Sequence, residues 1–346
     1  MMDLTPLQLK ANVEYIAKQL GFFDVRIAPI VKPPHLHRYN EWLEDKAYGD
    51  MSWFERNNDR RSNPANILEG AQSMVCLALN YLPGKVHPNP QYRVAKYSWN
   101  NDYHDLISTK LKDLDLAMQE FGGVQKYYVD TGPILERDYA TLSGLGWNGK
   151  STVQIHQKHG TWFFLAEVIT TLELPKDQAV ANRCGTCSRC MEVCPTNAIY
   201  GPNLMNAQRC ISYLTIENKG SIPEEYRRAI GNRIYGCDEC LEVCPWNKFA
   251  KVSREIDFLA RDEIFSKSLR DFLKLSDEEF RGLFAKSPIK RIKRNNFLRN
   301  VCVALGNVGE KEDLAVLEET LLDPDPMLAE HADWAIKEIK RRELIE

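Results

Sequence analysis

The chain has 346 residues, 44% of them hydrophobic, with 45 Lys+Arg against 48 Asp+Glu and a formal net charge of −3. At about 150 residues per domain this length predicts two to three domains with real cores, and the charge balance excludes a disordered or strongly basic chain as a whole. No apolar run approaches the roughly 18 residues of a membrane-spanning helix, and neither a secretory signal nor a twin-arginine signal opens the sequence. The expected location is therefore the cytoplasm, with no membrane partner.

Thr5-Pro6 reads as a helix cap with Pro at the first helical position. Leu9, Val13, Ile16 and Leu20 recur at helical spacing, and Gly21 ends the run. Phe22–Ile27 reads as a strand. Tyr39 to Asn63, with Trp42, Trp53, Phe54, Arg60 and Arg61, reads as a short helix plus loop. Ser73–Asn80 is an apolar run bounded by turn residues, which predicts a buried strand. Ile107, Leu111, Leu114, Met118 and Phe121 mark an amphipathic helix closed by Gly122-Gly123. Lys126–Val129 predicts a short strand that delivers Asp130 to its C-terminal end, followed by a helix over Pro133 to Ser143. Gly144 to Gly149 reads as a glycine-rich turn. Val153–His156 and Thr161–Thr170 read as a hairpin around Gln157–Gly160. These elements predict an α+β domain of mixed strand order. No GxGxxG or GxxxxGKS/T motif supports a dinucleotide or P-loop site.

Residues 175–183 form a polar linker, and a charged connection follows the cysteine-rich segment. The last 55 or so residues predict three helices: Asn295–Leu305, Leu314–Leu322 and Met327–Arg341. A turn at Gly306–Gly309 and a stop at Asp323–Pro326 separate them. Leu328, His331, Ala332, Ala335 and Ile336 share a face of the third. The spacing is similar to a HEAT-like repeat but spans fewer than two repeats, so this segment must pack on the rest of the chain. The expected domains are 1–178, 179–250 and 251–346.

Eight of the ten cysteines lie between Cys184 and Cys244. Cys184-x2-Cys187-x2-Cys190-x3-Cys194-Pro195 is the bacterial ferredoxin spacing. Cys237-x2-Cys240-x3-Cys244-Pro245 is a second copy lacking its first cysteine, and Cys210 is the spare thiolate. Soft thiolates suit iron, and short gaps let three ligands wrap one cube while the fourth reaches the other. The expected sets for two [4Fe–4S] clusters are Cys184, Cys187, Cys190 and Cys244, and Cys194, Cys210, Cys237 and Cys240. Two structural zinc sites are the alternative, but zinc ribbons rarely use this spacing. Cys76, in an apolar strand, and Cys302, on an apolar helix face, read as core. Two clusters only carry electrons, so the N-terminal domain is expected to hold the acceptor.

Val129-Asp-Thr-Gly-Pro133 followed by Glu136-Arg137, Gly144-Leu-Gly-Trp-Asn-Gly-Lys150, Asn206 to Thr215, Gly231 to Cys237 and the full cysteine pattern together resemble the epoxyqueuosine reductase family, over nearly the whole chain. The resemblance implies a cobalamin held base-off in an N-terminal α/β domain like the reductive dehalogenase core, beside a ferredoxin-like double-cluster domain. The implied reaction is two-electron removal of the epoxide oxygen as water from epoxyqueuosine in the wobble position of tRNA, with cobalt reduced by the clusters. No DxHxxG motif offers a histidine to cobalt. Asp130 matches the family's proton donor, and burial beside a cofactor would raise its pKa. The alternative is that Asp130 caps the following helix. Lys150, Ser151, Thr152, Gln154 and Leu165 match the corrin-lining segment, with Arg61, Tyr97 and Thr215 as further carry-overs. Ser151 stands where the family often has Asn, which leaves a backbone contact there.

Lys286, Lys290, Arg291, Lys293, Arg294 and Arg299 form a run with no acid between them, and Arg227, Arg228 and Arg233 extend it. The functional reading is phosphate contact with the tRNA anticodon stem-loop, and the plain one is a solvated helix face. The implied partners are tRNA and an electron donor such as a flavodoxin or ferredoxin, and the expected state is a monomer. Rival readings are a reductive dehalogenase, an electron-carrier iron–sulfur protein and an RNA-binding protein with structural metal.

Overall fold

The computed structural model describes residues 4–84 and 87–344. The outermost residues of the expected domains, Met1 and Glu346, lie outside that range. The first helix, Pro6–Gln19, starts as expected: Thr5 and Gln8 form a reciprocal capping box around Pro6. The strands that matter here are β1 (Asp24–Pro29), β2 (Ser73–Asn80), β3 (Arg93–Val94), β4 (Gln125–Tyr128), β5 (Trp147–Asn148), β6 (Gln154–Ile155) and β7 (Phe163–Thr170), then β8 (Ile199–Gly201), β9 (Leu204–Met205) and β10 (Arg233–Tyr235).

The central sheet runs β1-β2-β7-β4, and each neighbouring pair is antiparallel. Strand β2 is apolar throughout because both its faces are covered. Val75, Leu77 and Leu79 pack with Val13, Ile107, Leu111, Leu114 and Met118 on the helix-covered side. Met74, Cys76 and Ala78 pack on the other side with Tyr139, Ala140, Phe163 and Leu165. The sheet edge at β1 is closed by the chain segment expected as a linker. Asp177 accepts from the Ile27 amide at 2.8 Å and returns its own N–H to the Ile27 carbonyl at 2.9 Å.

Two local expectations fail. Strand β6 does not pair with β7. It folds back on β5, with Trp147 opposite Ile155, while β7 enters the sheet between β2 and β4. An eight-residue apolar strand gains far more burial at the sheet centre than in a two-stranded hairpin. The helix after Asp130 begins at Glu136, three residues late, with Leu135 at its cap and no side-chain cap. Asp130 therefore does not cap it.

The cores do not follow the expected boundaries at 178 and 250. One core joins Tyr92, Val94 and Trp99 to Leu214, Ile234 and Tyr235 of the cysteine-rich segment and to Phe272, Phe297, Leu317 and Leu328 of the C-terminal part. Strand β3 pairs in parallel with β10 across that junction. The three C-terminal helices run over Lys293–Val308, Leu314–Thr320 and Pro326–Glu343. The first and last cross so closely at Gly306 that an added Cβ would sit 2.3 Å from the Trp334 ring. Cys76 and Cys302 are fully buried, as expected of core thiols.

No helix among the described residues is long and apolar enough to cross a membrane.

Candidate active site and cysteine centre

Strand β4 ends at Tyr128, and Asp130 follows in the left-handed region at φ 57°. A non-glycine residue there costs on the order of 1–2 kcal/mol, so neighbours must hold it. They do: Tyr103 Oη donates to Asp130 Oδ2 at 2.8 Å, and His104 Nε2 stands 3.3 Å from the same oxygen. The Asp130 side chain is 55% exposed.

Burial pushes the carboxyl up, but the close His104 imidazole, the Tyr103 hydrogen bond and the charges of His104 and Arg137 outweigh it and hold Asp130 below the usual carboxylate range. The acid with the elevated value is its neighbour Glu136. Burial and the Asp130 charge push Glu136 up to about 7 against the pull of Arg137. Glu167 lies behind both, 1% exposed, between Cys76 on β2 and Tyr128 on β4. Burial, with Glu136 and Asp130 nearby, pushes Glu167 well up, and its Oε1 has no partner.

The Lys150–Gln154 segment lies against this acid group. The Thr152 carbonyl accepts from Arg137 at 2.7 Å, and Thr152 is itself left-handed at φ 67°. Ser151 and Gln154 are buried, and Leu165 lies in the β7 core face. Trp147 Nε1, Asn148 Oδ1 and Gln154 Oε1 are buried on the β5–β6 pair without hydrogen-bond partners. Buried polar atoms are rarely left so, and one donor with two acceptors fits a ligand bearing peripheral amides.

Other carry-overs fare differently. Arg61 is buried, with its guanidinium 5.7 Å from the Phe54 ring centroid and a bond to the Arg56 carbonyl. Tyr97 approaches the Asp130 holder, its ring 5.9 Å from that of Tyr103 and its hydroxyl 3.4 Å from that of Tyr235. Thr215 is corrected: it is fully buried, donates to the Ile211 carbonyl at 2.7 Å and accepts from the Gly236 amide at 2.9 Å. No side-chain surface remains for a cofactor.

The eight clustered thiols gather into two neighbourhoods. Cys184 and Cys187 neighbour Cys190, and all three lie near enough to Cys244 to act on its charge. Cys210 neighbours Cys194 and Cys237, and Cys240 faces Cys210, Cys237 and Cys194. Short helices at Arg189–Glu192 and Glu239–Glu242 carry Cys190 and Cys240, and Cys210 stands at the cap of the helix Ile211–Ile216. Burial pushes the Cys190, Cys210, Cys237, Cys240 and Cys244 thiols up, Cys237 to about 12, with nearby thiols adding to the shift. Bound cationic metal would reverse that. Both sets are open. Among the described residues, no three Cys, His, Asp or Glu side chains are close enough to hold a single metal ion.

The basic run divides. Lys286, Lys290, Arg291 and Lys293 are exposed, although Arg291 pairs with Glu217. Arg294 is half-buried, donating to the Leu275 carbonyl at 2.6 Å. Arg299 is corrected as a phosphate contact: it is 0% exposed and donates to the Leu214 and Asn218 carbonyls at 2.9 Å each. Of the extending residues, Arg227 is buried against Glu330, while Arg228 and Arg233 pair with Glu338 and Glu239.

Sequence reasoning passed over Asp102, His104 and Glu167. The signals were present: an aspartate helix cap followed by histidine in the first turn, and a lone acid inside the apolar FFLAEVIT strand.

Residues 61–131 match the family described as epoxyqueuosine reductase QueG, DUF1730, and residues 183–247 match a 4Fe-4S double cluster binding domain. The epoxyqueuosine reductase of Xanthomonas campestris pv. campestris is 38% identical over 343 residues, covering 96% of each chain. That of Escherichia coli K12 is 37% identical, covering 97% of this chain and 91% of its own. A crystal structure of epoxyqueuosine reductase with a tRNA-Tyr epoxyqueuosine-modified stem loop superposes with a TM-score of 0.88 at 31% identity, over 97% of this chain and 91% of that one. The Bacillus subtilis enzyme, solved with its catalytic aspartate loop swung out of the active site, gives 0.88 at 30% identity over the same shares.

Proposed function

The chain belongs to the epoxyqueuosine reductase family, an oxidoreductase family, and from that premise we propose that it removes the epoxide oxygen of epoxyqueuosine in a tRNA anticodon loop, releasing water. The observation that carries this reading is Asp130, strained, accessible, and held by Tyr103 and His104.

The two thiol sets are proposed to hold two [4Fe–4S] clusters. Asn148, Gln154 and the Lys150–Thr152 backbone are proposed to hold the peripheral amides of a corrinoid, with Arg61, Tyr97 and Leu165 beyond. When bound, the clusters and the corrinoid supply low-potential electrons to the epoxide carbon. The rest is the work of this chain's own side chains. Asp130 passes a proton to the departing oxygen, because its carboxyl is the exposed acid of the group. Lys286, Lys290, Arg291 and Lys293 are proposed to contact phosphates of the stem-loop. A flavodoxin or ferredoxin is the proposed electron source.

The test is anaerobic turnover of epoxyqueuosine-containing tRNA by protein reconstituted with iron, sulfide and cobalamin, read by nucleoside mass spectrometry. Cobalamin-dependent loss of one oxygen, abolished in Asp130→Ala, is expected. No mass change with clusters and cobalamin bound would sink the tRNA substrate and leave an organohalide as the next candidate.

A further inference from the structure

Opening the epoxide to an alkene and water consumes two electrons and two protons. Both protons go to the one oxygen, as two C–O bonds break and a carbon–carbon double bond forms. Asp130 alone carries one proton at most, so a second must come from behind it.

Three residues at the start of the helix Tyr103–Gln119 are arranged for that supply. Asp102 caps the helix, and its Oδ1 accepts from the His104 backbone amide at 3.0 Å and faces the His104 Nδ1 at 2.7 Å. Two bonds to one carboxylate oxygen fix the ring plane and place hydrogen on Nδ1. The other nitrogen, Nε2, is thereby turned to Asp130 Oδ2 at 3.3 Å, short of a formed hydrogen bond in the resting structure. Tyr103 holds that same oxygen, and its ring stacks on His104 at 4.1 Å between centroids. His104 is 26% exposed as a side chain, although its Nε2 atom is itself buried.

We propose that His104, oriented by Asp102, is the relay that reloads Asp130, so that the pair delivers both protons of one turnover. This rests on the reductase reading above. The imidazolium proton passes from Nε2 through Asp130 to the oxygen of the opened ring. Solvent reprotonates the pair, and the second proton follows through Asp130 and leaves with the oxygen as water. The electrons come from the reductant that the reaction already requires. His104 acts through Asp130 and is a positioning and relay residue.

The charges agree with the geometry. Burial pulls His104 down, but the hydrogen bond to Asp102, the close Asp130 carboxylate and the charges of both prevail and push it up to about 9. Asp102, faced also by Arg291 from the C-terminal segment, is held low. On the other side Arg137 attracts and Glu136 repels the Asp130 charge, and Glu167 lies behind them. At neutral pH the proton of the pair therefore rests on the imidazole.

Two measurements decide the matter. The first is a nitrogen NMR titration of histidine-labelled protein with its clusters oxidised, assigned with His104→Gln. A histidine titrating near pH 9 that falls by about one unit or more in Asp102→Asn is expected. An ordinary value near 6.5, or one indifferent to Asp102→Asn, overturns the relay. The second is the pH profile of single-turnover oxygen loss. His104→Gln should lose about tenfold or more at pH 8 and recover toward pH 6, where solvent can protonate Asp130 directly. A wild-type profile, or a loss equal at every pH, overturns it. If wild-type protein does not reduce the tRNA at all, the reductase reading fails and the relay's role with it. The NMR titration would still report whether the pair holds its proton.

Discussion

Lys150 reaches from the turn after β5 to the first cysteine loop, where its Nζ donates to the Gly185 carbonyl at 2.7 Å and the Cys187 carbonyl at 2.9 Å. The ammonium is thus committed to the thiol neighbourhood of Cys184, Cys187 and Cys190. A fixed positive charge beside a cluster favours its reduced state. Lys150→Met is expected to make one of the two cluster potentials more negative by about 40 mV, the one-electron equivalent of roughly 1 kcal/mol. Redox titration followed by electron paramagnetic resonance would show it, and two unchanged potentials would refute it.

The C-terminal helices are tied to the cysteine-rich segment by buried polar groups. Arg299 reaches the Leu214 and Asn218 carbonyls, and Asn300 Nδ2 donates to the Thr215 carbonyl at 2.7 Å and the Ile234 carbonyl at 3.0 Å. Burial pulls the guanidinium down to about 10, but it remains charged at neutral pH. Arg299→Met would leave several carbonyls without donors next to the helix that begins at Cys210. The expected loss is about 2–4 kcal/mol, with weakened retention of the cluster set containing Cys210. Chemical denaturation and iron content after desalting measure the two effects.

His331 docks the last helix. It is fully buried, its Nε2 accepts from the Ile222 amide at 3.1 Å, and its Nδ1 donates to the Met327 carbonyl at 2.7 Å. The accepting nitrogen requires the neutral ring, and burial holds its pKa down to about 4. A depressed histidine binds fewer protons folded than unfolded, so its contribution is complete above about pH 6.5 and is lost as pH falls toward 4. Up to about 3 kcal/mol of docking should disappear over that window. Hydrogen exchange along Pro326–Glu343 should accelerate on acidification in the wild type. In His331→Leu, which cannot take up a proton, that acid-specific step should vanish.

Removing the exposed cations separates RNA contact from folding. Replacing Lys286, Lys290 and Lys293 by alanine should leave stability within about 0.5 kcal/mol per site. It should weaken stem-loop binding and reduce the slope of log Kd against log salt by about 0.7 for each lost phosphate contact. Slopes from titrations at several salt concentrations test this, and an unchanged slope would move the RNA elsewhere.

What was legible in the sequence follows from how local each signal is. Strand β2 was readable to the residue because burial on both faces leaves an unbroken apolar run between turn residues. The three C-terminal helices were readable to within three residues, since caps and 3.6-residue periodicity are local. The late start of the helix at Glu136 was not, because the Thr131–Leu135 turn is set by contacts that hold Asp130, not by a capping side chain.

The cysteine spacing by itself pointed to iron–sulfur chemistry, because ligand geometry is written in residue type and gap length, whereas the role of Asp130 came only from the family resemblance of the Val129–Pro133 motif. The charge of each group was decided by the folded chain. Arg299 left the surface because its helix face turned inward, and Asp130 became the low-pKa partner because His104 and Tyr103, 26 and 27 positions earlier, were brought against it. Protonation depends on solvation and neighbours across space, and a linear order of residues does not contain those distances.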